Sequence, residues 1–386
     1  MNSESSRRRF LQAGLALPAA GLVSQQTAAA FQQTPPMPQR TLGKTGIKVC
    51  PVGFGSGFTP DPAVVARAVD LGVNYFDTSN DYSNGNSERL LGAGLKGIRN
   101  KAVVVSKTPA RTKTSALANL DDSLKNLATD HLDIWLLHAR DRSADVPDEL
   151  LEAAAEAKKQ GKTRFFGLST HNLDAMADTV LKANLDVVLF SYNFTMGQSR
   201  DAAIAKLHTA GVGLAAMKVM AATGGFPGMP GAGAARGGAL PARPAPLHNP
   251  LPALKWVVKN PSVATTIPGI RDAEMLEMNL RALTEPYGPA DDKVLVARSE
   301  EVRPYYCRMC FRCEGQCPHG VPVAEQLRIL AYADFYGDFP LARNSFLRLP
   351  EEVRAVRCSD CSTCAVDCPN GVHVADRLIR AQELLA

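Results

Sequence analysis

The chain has little cysteine before residue 300 and no long hydrophobic run. Eight of its nine cysteines lie beyond residue 300, a clustering that argues against a disulfide framework spread through the fold. No segment approaches the ~18 consecutive apolar residues of a transmembrane helix, so we expect no permanent membrane span. Lysine and arginine (43) only slightly outnumber aspartate and glutamate (38), and no basic stripe is present, so no nucleic-acid partner is expected.

A Rossmann fingerprint is also missing, because no Gly-x-Gly-x-x-Gly run follows a predicted strand. A Rossmann domain is therefore excluded as the source of any dinucleotide binding. The overall composition is ordinary, with 45% hydrophobic and 21% charged residues in a chain of 386, enough for one large domain and a smaller one. The isolated Cys50, beside the first predicted strand, is interpreted as a small buried apolar residue.

The N-terminus has the parts of an export signal in the right order. The run 6–12 (SRRRFLQ) closely matches the twin-arginine consensus, a weakly apolar stretch follows at 13–23, and alanines 28–30 offer a cleavage site. A basic, disordered tail is the alternative interpretation. We expect residues 1–30 to be a signal peptide and 31–40 a linker, with the protein exported in folded form to a periplasmic or other extracytoplasmic location.

Residues 41–290 show the alternation of an α/β fold. Short β-branched or apolar runs are separated by stretches of helical spacing, such as 62–71, 115–127 and 149–160. Near-continuous apolar strands between helices indicate a parallel sheet covered by helices. Eight such units in about 250 residues favour a (β/α)8 TIM barrel over an open doubly wound sheet. The predicted strands are 50–55, 74–79, 102–108, 133–139, 164–170, 186–193, 213–220 and 263–270.

Two segments interrupt this pattern. Residues 222–250, after the seventh strand, are rich in Gly, Pro and Ala. Their position predicts a long loop on the rim of the barrel mouth, where lids and cofactor clasps occur, although a mere spacer is the alternative. The segment 285–291 ends the barrel, and after one helix at 292–302 we expect a small helical domain over 300–386.

Four polar residues fall at or just after the ends of consecutive predicted strands. Asp77, Lys107 and His138 end the second, third and fourth strands, and Tyr82 lies in the loop after the second. Active sites of barrels are built on this face. A buried Lys107 ammonium needs an anion, and Asp77 is the expected one. A nearby ammonium lowers a tyrosine pKa from about 10, so Tyr82 is predicted to be a general acid near neutral pH.

The segment 74–92 (NYFDTSNDYSNGNSERLLG) resembles the signature of the aldo-keto reductase family, and the resemblance extends over about 39–285. It implies a barrel that binds NAD or NADP on its C-terminal face. It also implies that Tyr82 protonates the carbonyl oxygen of a small carbonyl substrate, or acts in reverse on an alcohol, and that His138 orients the carbonyl. Family members that reduce carbon–carbon double bonds carry Glu in place of this His, so His138 favours carbonyl chemistry.

The same resemblance implies contacts to the nucleotide at later strand ends. Ser169 and Thr170 resemble the pair that binds the carboxamide, and Lys218 lies where many members place the aromatic that stacks on nicotinamide. Asn279 resembles an adenine contact and Arg271 suits a 2′-phosphate, but the run before Asn279 departs from the family's pattern, which leaves NAD and NADP both open. The candidate cofactor-binding residues are Ser169, Thr170, Ser191, Lys218, Pro268, Gly269, Arg271 and Asn279.

The clustered cysteines form two identical runs of the form Cys-x2-Cys-x2-Cys-x3-Cys-Pro. This is the bacterial ferredoxin run written twice, in which the fourth cysteine reaches the other cluster, and it predicts two [4Fe–4S] clusters. Zinc sites built from cysteine pairs have no place for a third cysteine at the same interval, and disulfides would not require two identical runs. One cluster is expected on Cys307, Cys310, Cys313 and Cys368, and the other on Cys358, Cys361, Cys364 and Cys317.

Two functions follow from these features. The segment between the cysteine runs has helical patterns at 323–336 and 340–347, and it resembles the two-cluster ferredoxin domain appended to some aldo-keto reductases. The first function is an NAD(P)-linked oxidoreductase. The second is an iron–sulfur electron-transfer protein that uses the barrel as a dock and has a redox protein as its partner. A hydride carries two electrons, a cluster accepts one, and no flavin signature is present, so the clusters are either structural or serve a separate partner.

Overall fold

Parallel strands form the centre of the computed structural model, which describes residues 37–224 and 244–386. The hairpin of β1 (Arg40–Thr41) and β2 (Lys48–Val49) precedes them. Eight strands then lie side by side in chain order, and bridges from Val52 to Thr266 and from Gly55 to Gly269 bring the first to the last, so the predicted barrel is confirmed. They are β3 (Phe54–Gly55), β4 (Tyr75–Asp77), β5 (Val103–Thr108), β6 (Leu132–Leu137), β7 (Thr163–Thr170), β8 (Val187–Ser191), β9 (Gly213–Met217) and β10 (Thr265–Thr266).

Side chains of the strands alternate between two cores, as the period of two in a β-strand requires. Tyr75 and Val105 pack inside the barrel, together with Leu42 from the hairpin loop. Their neighbours Phe76 and Val104 pack outward against the helices. All residues of β5 and β6 are buried, including the polar Ser106, Lys107 and Asp133, because both faces of these strands are covered.

Helices follow the barrel strands and cover the sheet. In α1, Asp61 caps the first turn by accepting from the Ala63 N–H at 2.8 Å, and Pro62 occupies the first position, both signals being typical of a helix start. The helices of the barrel are α1 (Pro62–Asp70), α2 (Asn86–Gly94), α3 (Lys113–Leu127), α4 (Asp148–Lys159), α5 (Leu173–Lys182), α6 (Asp201–Thr209), α7 (Leu251–Val258) and α8 (Ala273–Leu280).

The region after the barrel is helical and packs against it. Its helices are α9 (Pro289–Val302), α10 (Val323–Asp334), α11 (Phe339–Leu347), α12 (Glu351–Ala355) and α13 (Val374–Leu385). Ten of the twelve residues of α10 are buried, since this helix has neighbours on nearly all sides. Phe194 of the barrel shares an apolar cluster with Tyr306 and Phe335 of the C-terminal region. No helix in the described residues is long and apolar enough to cross a membrane.

Predictions made for some segments are not tested by this structure. Residues Met37–Ala386 form one compact unit, so the structure does not mark a boundary between the barrel and the C-terminal region. The domain boundaries therefore stay predictions. The expected signal peptide over 1–30 and most of the expected linker lie outside the described residues. Of the Gly/Pro-rich segment 222–250, residues 225–243 also lie outside them, while the Leu247 N–H donates to the Thr223 carbonyl at 2.7 Å.

Candidate functional site

A cavity of about 1550 Å³ opens at the carboxyl ends of the barrel strands. Three of the four predicted catalytic residues, Asp77, Tyr82 and His138, line it, and the fourth, Lys107, is buried directly behind. The far wall comes from the C-terminal region, with Arg328 and Tyr332 of α10. The cavity is therefore shared between the barrel and the helices that follow it.

Lys107 and Asp77 form a buried ion pair, as predicted. The Lys107 Nζ lies 2.6 Å from the Asp77 Oδ1 and also donates to the Thr78 carbonyl at 2.6 Å. Both side chains are 1% exposed. Burial raises the pKa of Asp77, although Lys107 acts in the opposite direction. The ammonium is thus neutralised by its neighbour strand, and removing either partner would leave a buried charge uncompensated.

The loop after β4 presents Tyr82 to the cavity. The Tyr82 N–H donates to the Ser79 carbonyl at 3.1 Å, and the next two residues, Ser83 and Asn84, both have the left-handed φ values of 50° and 53°. Non-glycine residues seldom adopt this conformation, and strain of this kind concentrates at functional sites. The loop is therefore built to hold the Tyr82 ring in place.

The predicted lowering of the Tyr82 pKa is wrong. Lys107 Nζ lies 4.8 Å from the Tyr82 ring centroid, but its charge is already paired with Asp77. Burial instead raises the pKa of Tyr82 well above 10, and Asp77 and Asp81 raise it further. The phenol consequently stays protonated at neutral pH, which is the form that can donate a proton.

His138 is oriented by a carboxylate that the sequence analysis missed. Its Nδ1 lies 3.0 Å from the Asp81 Oδ1, and its ring lies edge-on to that of Tyr82 at a centroid distance of 5.6 Å. Burial opposes ionisation of Asp81, but His138 outweighs it and the pKa of Asp81 is lowered. Because Asp81 accepts the Nδ1 proton, the Nε2 atom is left as the second hydrogen-bonding atom of the ring. The only sequence signal was the position of Asp81 next to Tyr82.

Of the eight predicted nucleotide contacts, five line the cavity, and Thr170, Ser191 and Asn279 do not. Ser169, Lys218, Pro268, Gly269 and Arg271 line the cavity. Thr170 does not appear in its wall, and the Thr170 hydroxyl donates to the Asp141 Oδ1 at 2.9 Å.

Two further positions have polar atoms that lack partners. The Ser191 hydroxyl and both polar atoms of the Asn279 amide are buried without a hydrogen-bond partner in the described residues. Buried polar atoms are nearly always satisfied, so atoms of this kind call for an absent ligand or water. Like Thr170, Ser191 and Asn279 do not appear in the cavity wall, so their unsatisfied atoms are the observation that fits a bound nucleotide at these two positions.

The eight C-terminal cysteines fall into two sets whose thiols act on one another electrostatically. Burial, assisted by the thiols of Cys313, Cys310 and Cys368, raises the pKa of Cys307 to about 12. Burial also raises the pKa of Cys358, and the thiols that act on it are a different set: Cys317, Cys361 and Cys364. Each set therefore combines three cysteines of one run with the fourth of the other run.

The chemistry of these sets fits a cubane cluster better than a single ion. All nine cysteines, each within the described residues, are free. Among those residues, no three His, Cys, Asp or Glu side chains converge on a point suited to one metal ion. With Zn–S bonds of about 2.3 Å a tetrahedral site brings its sulfurs close together, whereas a cubane places one thiolate at each of four iron corners. Buried thiols that raise one another's pKa are stabilised as thiolates by iron.

Comparisons with known proteins agree with both regions. Residues 61–229 match the model of the aldo/keto reductase family, and residues 306–373 match that of the 4Fe-4S dicluster domain. These two regions of the chain are therefore similar to an aldo-keto reductase domain and to a 4Fe–4S dicluster domain. L-galactose dehydrogenase of Arabidopsis thaliana is 36% identical over 187 residues, covering 42% of this chain and 58% of the relative. The uncharacterized oxidoreductase YqkF of Bacillus subtilis is 26% identical over 174 residues, covering 41% and 56%. The chain thus spans a little over half the length of these curated relatives.

Solved structures share the barrel. A thermostable aldo-keto reductase in complex with the inhibitor epalrestat has a TM-score of 0.55 at 25% identity, covering 68% of this chain and 100% of that one. The holo form of an aldo-keto reductase from Bacillus halodurans also has a TM-score of 0.55, at 22% identity, and covers 68% and 96%. The second likeness supports the fold alone. Neither covers the whole chain.

Proposed function

We propose that this protein is an NAD(P)-linked oxidoreductase that reduces a small aldehyde or ketone, or oxidises the corresponding alcohol. The observation that carries the proposal is the meeting of Tyr82, His138 and the Lys107–Asp77 pair at one cavity on the carboxyl face of the barrel. The aldo-keto reductase domain supports an oxidoreductase, and the name of the Arabidopsis relative supports a dehydrogenase.

In this proposal Tyr82 is the general acid and His138 orients the substrate. Because its pKa is raised, the Tyr82 phenol holds its proton until the carbonyl oxygen accepts it. The nicotinamide cofactor, when bound, supplies the hydride. Ser191 and Asn279 would hold it through their unsatisfied polar atoms, and Arg271 lies in the cavity wall where a phosphate group can reach it.

Replacement of Tyr82 by Phe tests the proposal. We expect a loss of turnover of about 10²–10⁴-fold with unchanged nucleotide affinity, because the substitution removes the donated proton and leaves the ring. Tyr287→Phe is the matched control. The Tyr287 hydroxyl donates to the Asp292 Oδ1 at 2.8 Å, and Tyr287 does not line the cavity. Turnover by the Tyr82 variant equal to that of wild type would refute the role of Tyr82.

A second candidate function is electron transfer by two [4Fe–4S] clusters, with the barrel as a docking or substrate-binding scaffold. The observation that favours it is the exposure of Cys361, which brings its cysteine set to the surface where a redox protein can dock. The decisive experiment reduces the clusters anaerobically and adds oxidised nucleotide. Reoxidation of the clusters supports coupling to the barrel, and an unchanged cluster spectrum argues against it.

We also propose export through the twin-arginine route to an extracytoplasmic location, which the run 6–12 supports. This route moves folded proteins, so clusters inserted in the cytosol would travel with the chain. Changing Arg7 and Arg8 together to Lys should retain the protein in the cytosol, while Arg9→Lys should not, as measured by cell fractionation. Bound nucleotide should be released when the exported protein is denatured.

A further inference from the structure

Lys218 lies just after β9 at the cavity wall, and its surroundings fix the position of its ammonium. Its φ of 58° is left-handed, and Asn193 donates to its carbonyl at 3.3 Å. The Lys218 Nζ lies 4.5 Å from the ring centroid of Tyr332 and 4.7 Å from that of Tyr336. Backbone strain of this kind is retained when the surroundings over-determine it, often at ligand sites. The ring of Tyr332 on α10 and that of Tyr336, two residues after its end, therefore hold the Lys218 cation in a defined place.

Arg328 brings a second cation to the same wall. It lies one helical turn before Tyr332, and its Nη1 donates to the Tyr332 hydroxyl at 2.7 Å. Its side chain is 18% exposed and lines the cavity. Burial raises the pKa of Tyr332, but Arg328 and Lys218 outweigh it and the pKa is lowered. The two cations thus act on one phenol, which shows how near to each other they lie.

The carboxylates near these cations are engaged elsewhere or only loosely placed. Asp141 accepts from the backbone N–H and the ring of His171 at 2.6 and 3.1 Å. Glu325 approaches Arg328 at 3.3 Å, but it is 47% exposed, and such pairs are weak. Asp338 acts to raise the pKa of Lys218, but its Oδ1 accepts from the Leu341 N–H at 3.0 Å. Lys218 forms no ion pair with a carboxylate among the residues the structure describes, and burial lowers its pKa. A desolvated ammonium without an anion is costly, so this wall suits an anionic ligand.

The reacting group would lie close by. Tyr332 is near enough to Tyr82 to raise the pKa of Tyr82. Lys107 is near enough to Lys218 to lower the pKa of Lys218. One small molecule can therefore present a carbonyl to Tyr82 and a charged group to the α10 wall.

We propose that Lys218 and Arg328, with the Tyr332 hydroxyl, form a subsite that binds an anionic group of the substrate, a carboxylate or a phosphate. The inference rests on the proposed carbonyl chemistry and adds the substrate class, an acidic aldehyde or ketone. It also gives the C-terminal region a part in specificity, because two of the three residues belong to α10. Charge-assisted hydrogen bonds to such a group distinguish it strongly from a neutral analogue of similar shape.

The test measures binding of three unreactive ligands, benzoate, phenyl phosphate and benzamide, to the cluster-loaded protein by anaerobic calorimetry. We expect one or both anions to bind at least about tenfold more tightly than benzamide, the factor that one charge-assisted hydrogen bond supplies. Preference for benzoate or for phenyl phosphate identifies the group. Arg328→Gln and Lys218→Met should each remove the preference, and Arg328→Lys should restore part of it.

The controls carry matched charge changes outside the cavity. Arg343→Gln removes an exposed arginine of α11, and Lys259→Met removes a lysine that lies 3.9 Å from the Tyr287 ring centroid. Both should keep the preference for anions, as should Tyr82→Phe. The inference is overturned if the three ligands bind equally, if the preference survives in Arg328→Gln and Lys218→Met, or if only Tyr82→Phe abolishes it. NADPH affinity is measured in parallel, and a loss confined to the nucleotide would assign the cations to the cofactor.

Turnover separates this inference from the proposed function. Benzaldehyde and 4-carboxybenzaldehyde are compared as substrates of the wild-type protein. If the anions bind more tightly but neither aldehyde is turned over, the proposed reaction is refuted and the subsite is supported. If turnover depends on Tyr82 but 4-carboxybenzaldehyde is not preferred over benzaldehyde, the proposed reaction is supported and the subsite is refuted.

Discussion

At the scale of single residues, the site depends on how buried charge is balanced. The Lys107 and Asp77 side chains are held 2.6 Å apart with almost no exposure, so neither charge can be satisfied by water if the other is removed. Tyr82 lies beside this neutral pair and keeps its proton because burial disfavours the phenolate. Lys107 lies 4.8 Å from the Tyr82 ring centroid, and Asp77 adds to burial in raising the pKa of the phenol.

Removal of Lys107 alone should lower the free energy of unfolding more than removal of both Lys107 and Asp77. Lys107→Met leaves the Asp77 carboxylate buried without a counter-charge, which should lower the free energy of unfolding by about 3–5 kcal/mol. The double variant Lys107→Met with Asp77→Asn should recover much of that loss but not the activity. Denaturant unfolding and turnover measure the two effects. Equal stability of the single and double variants would contradict the buried-pair account.

The pH dependence of carbonyl reduction should reflect the raised pKa of Tyr82. A general acid is active below its pKa, and that of Tyr82 lies well above 10, so kcat/KM for reduction should not fall through deprotonation of this residue between about pH 7 and 9. The profile is measured with one aldehyde at saturating nucleotide. A fall in kcat/KM in this range that disappears in Tyr82→Phe would show that the phenol ionises at a lower pH than its burial predicts.

At the scale of elements, α10 joins the cavity to the C-terminal core. Asp334 at its end accepts from Arg380 at 2.7 Å and also pairs with Arg377, both on α13. Asp334 is fully buried, and burial raises its pKa, but the two guanidinium groups outweigh this and the pKa is lowered. The two helices are thus held together by a charge cluster as well as by apolar packing.

Asp334→Asn should destabilise this helix pair in a pH-dependent way. Because the folded-state pKa is below the unfolded value of about 3.9, the contribution of the carboxylate is present above that value and is lost as the pH falls further. At pH 7 the variant should lose about 3–5 kcal/mol in urea unfolding, since two arginines lose their anion. The difference from wild type should shrink below about pH 4. A difference independent of pH would indicate a packing effect instead.

The same elements show what the sequence could predict. The runs 102–108 and 133–139 appear as β5 and β6 nearly within the expected bounds because both faces of these strands are buried. The runs 50–55 and 263–270 contain only the two-residue strands β3 and β10, since prolines in both runs lack the N–H that a ladder needs.

The four candidate catalytic residues could be predicted from strand ends, but the far wall of the cavity could not. Tyr82 and its three companions lie near one another in sequence, and their common face follows from the barrel topology. Arg328 and Tyr332 reach the cavity only because the helical region packs across the barrel mouth. A helical pattern predicts that α10 exists, and it carries no information about what the helix faces. Long-range packing of this kind has no local signal.

At the scale of the whole molecule, the first cysteine set is connected to the cavity through side chains. Cys307 follows Tyr306, whose ring packs edge-on against Phe335 at 5.1 Å and whose hydroxyl lies 3.5 Å from that of Tyr336. Arg200 of the barrel donates to the carbonyl of Met309, between two cysteines of this set, at 2.9 Å. A cluster bound here would order the same residues that form the cavity wall.

Loss of the first cluster should therefore impair the proposed carbonyl reduction through its effect on the cavity wall. Metal binding contributes folding free energy to the segments that hold the ligands, so Cys313→Ser should loosen α10 and raise KM more than it lowers kcat. Cys361→Ser is the matched variant. Cys361 is exposed, and it belongs to the second cysteine set, with Cys358, and not to the set that includes Cys307 next to Tyr306. Both variants should lose about half of the iron and sulfide, but only Cys313→Ser should change KM strongly. Equal kinetic effects of the two variants would mean that the cavity wall does not depend on which cluster is present.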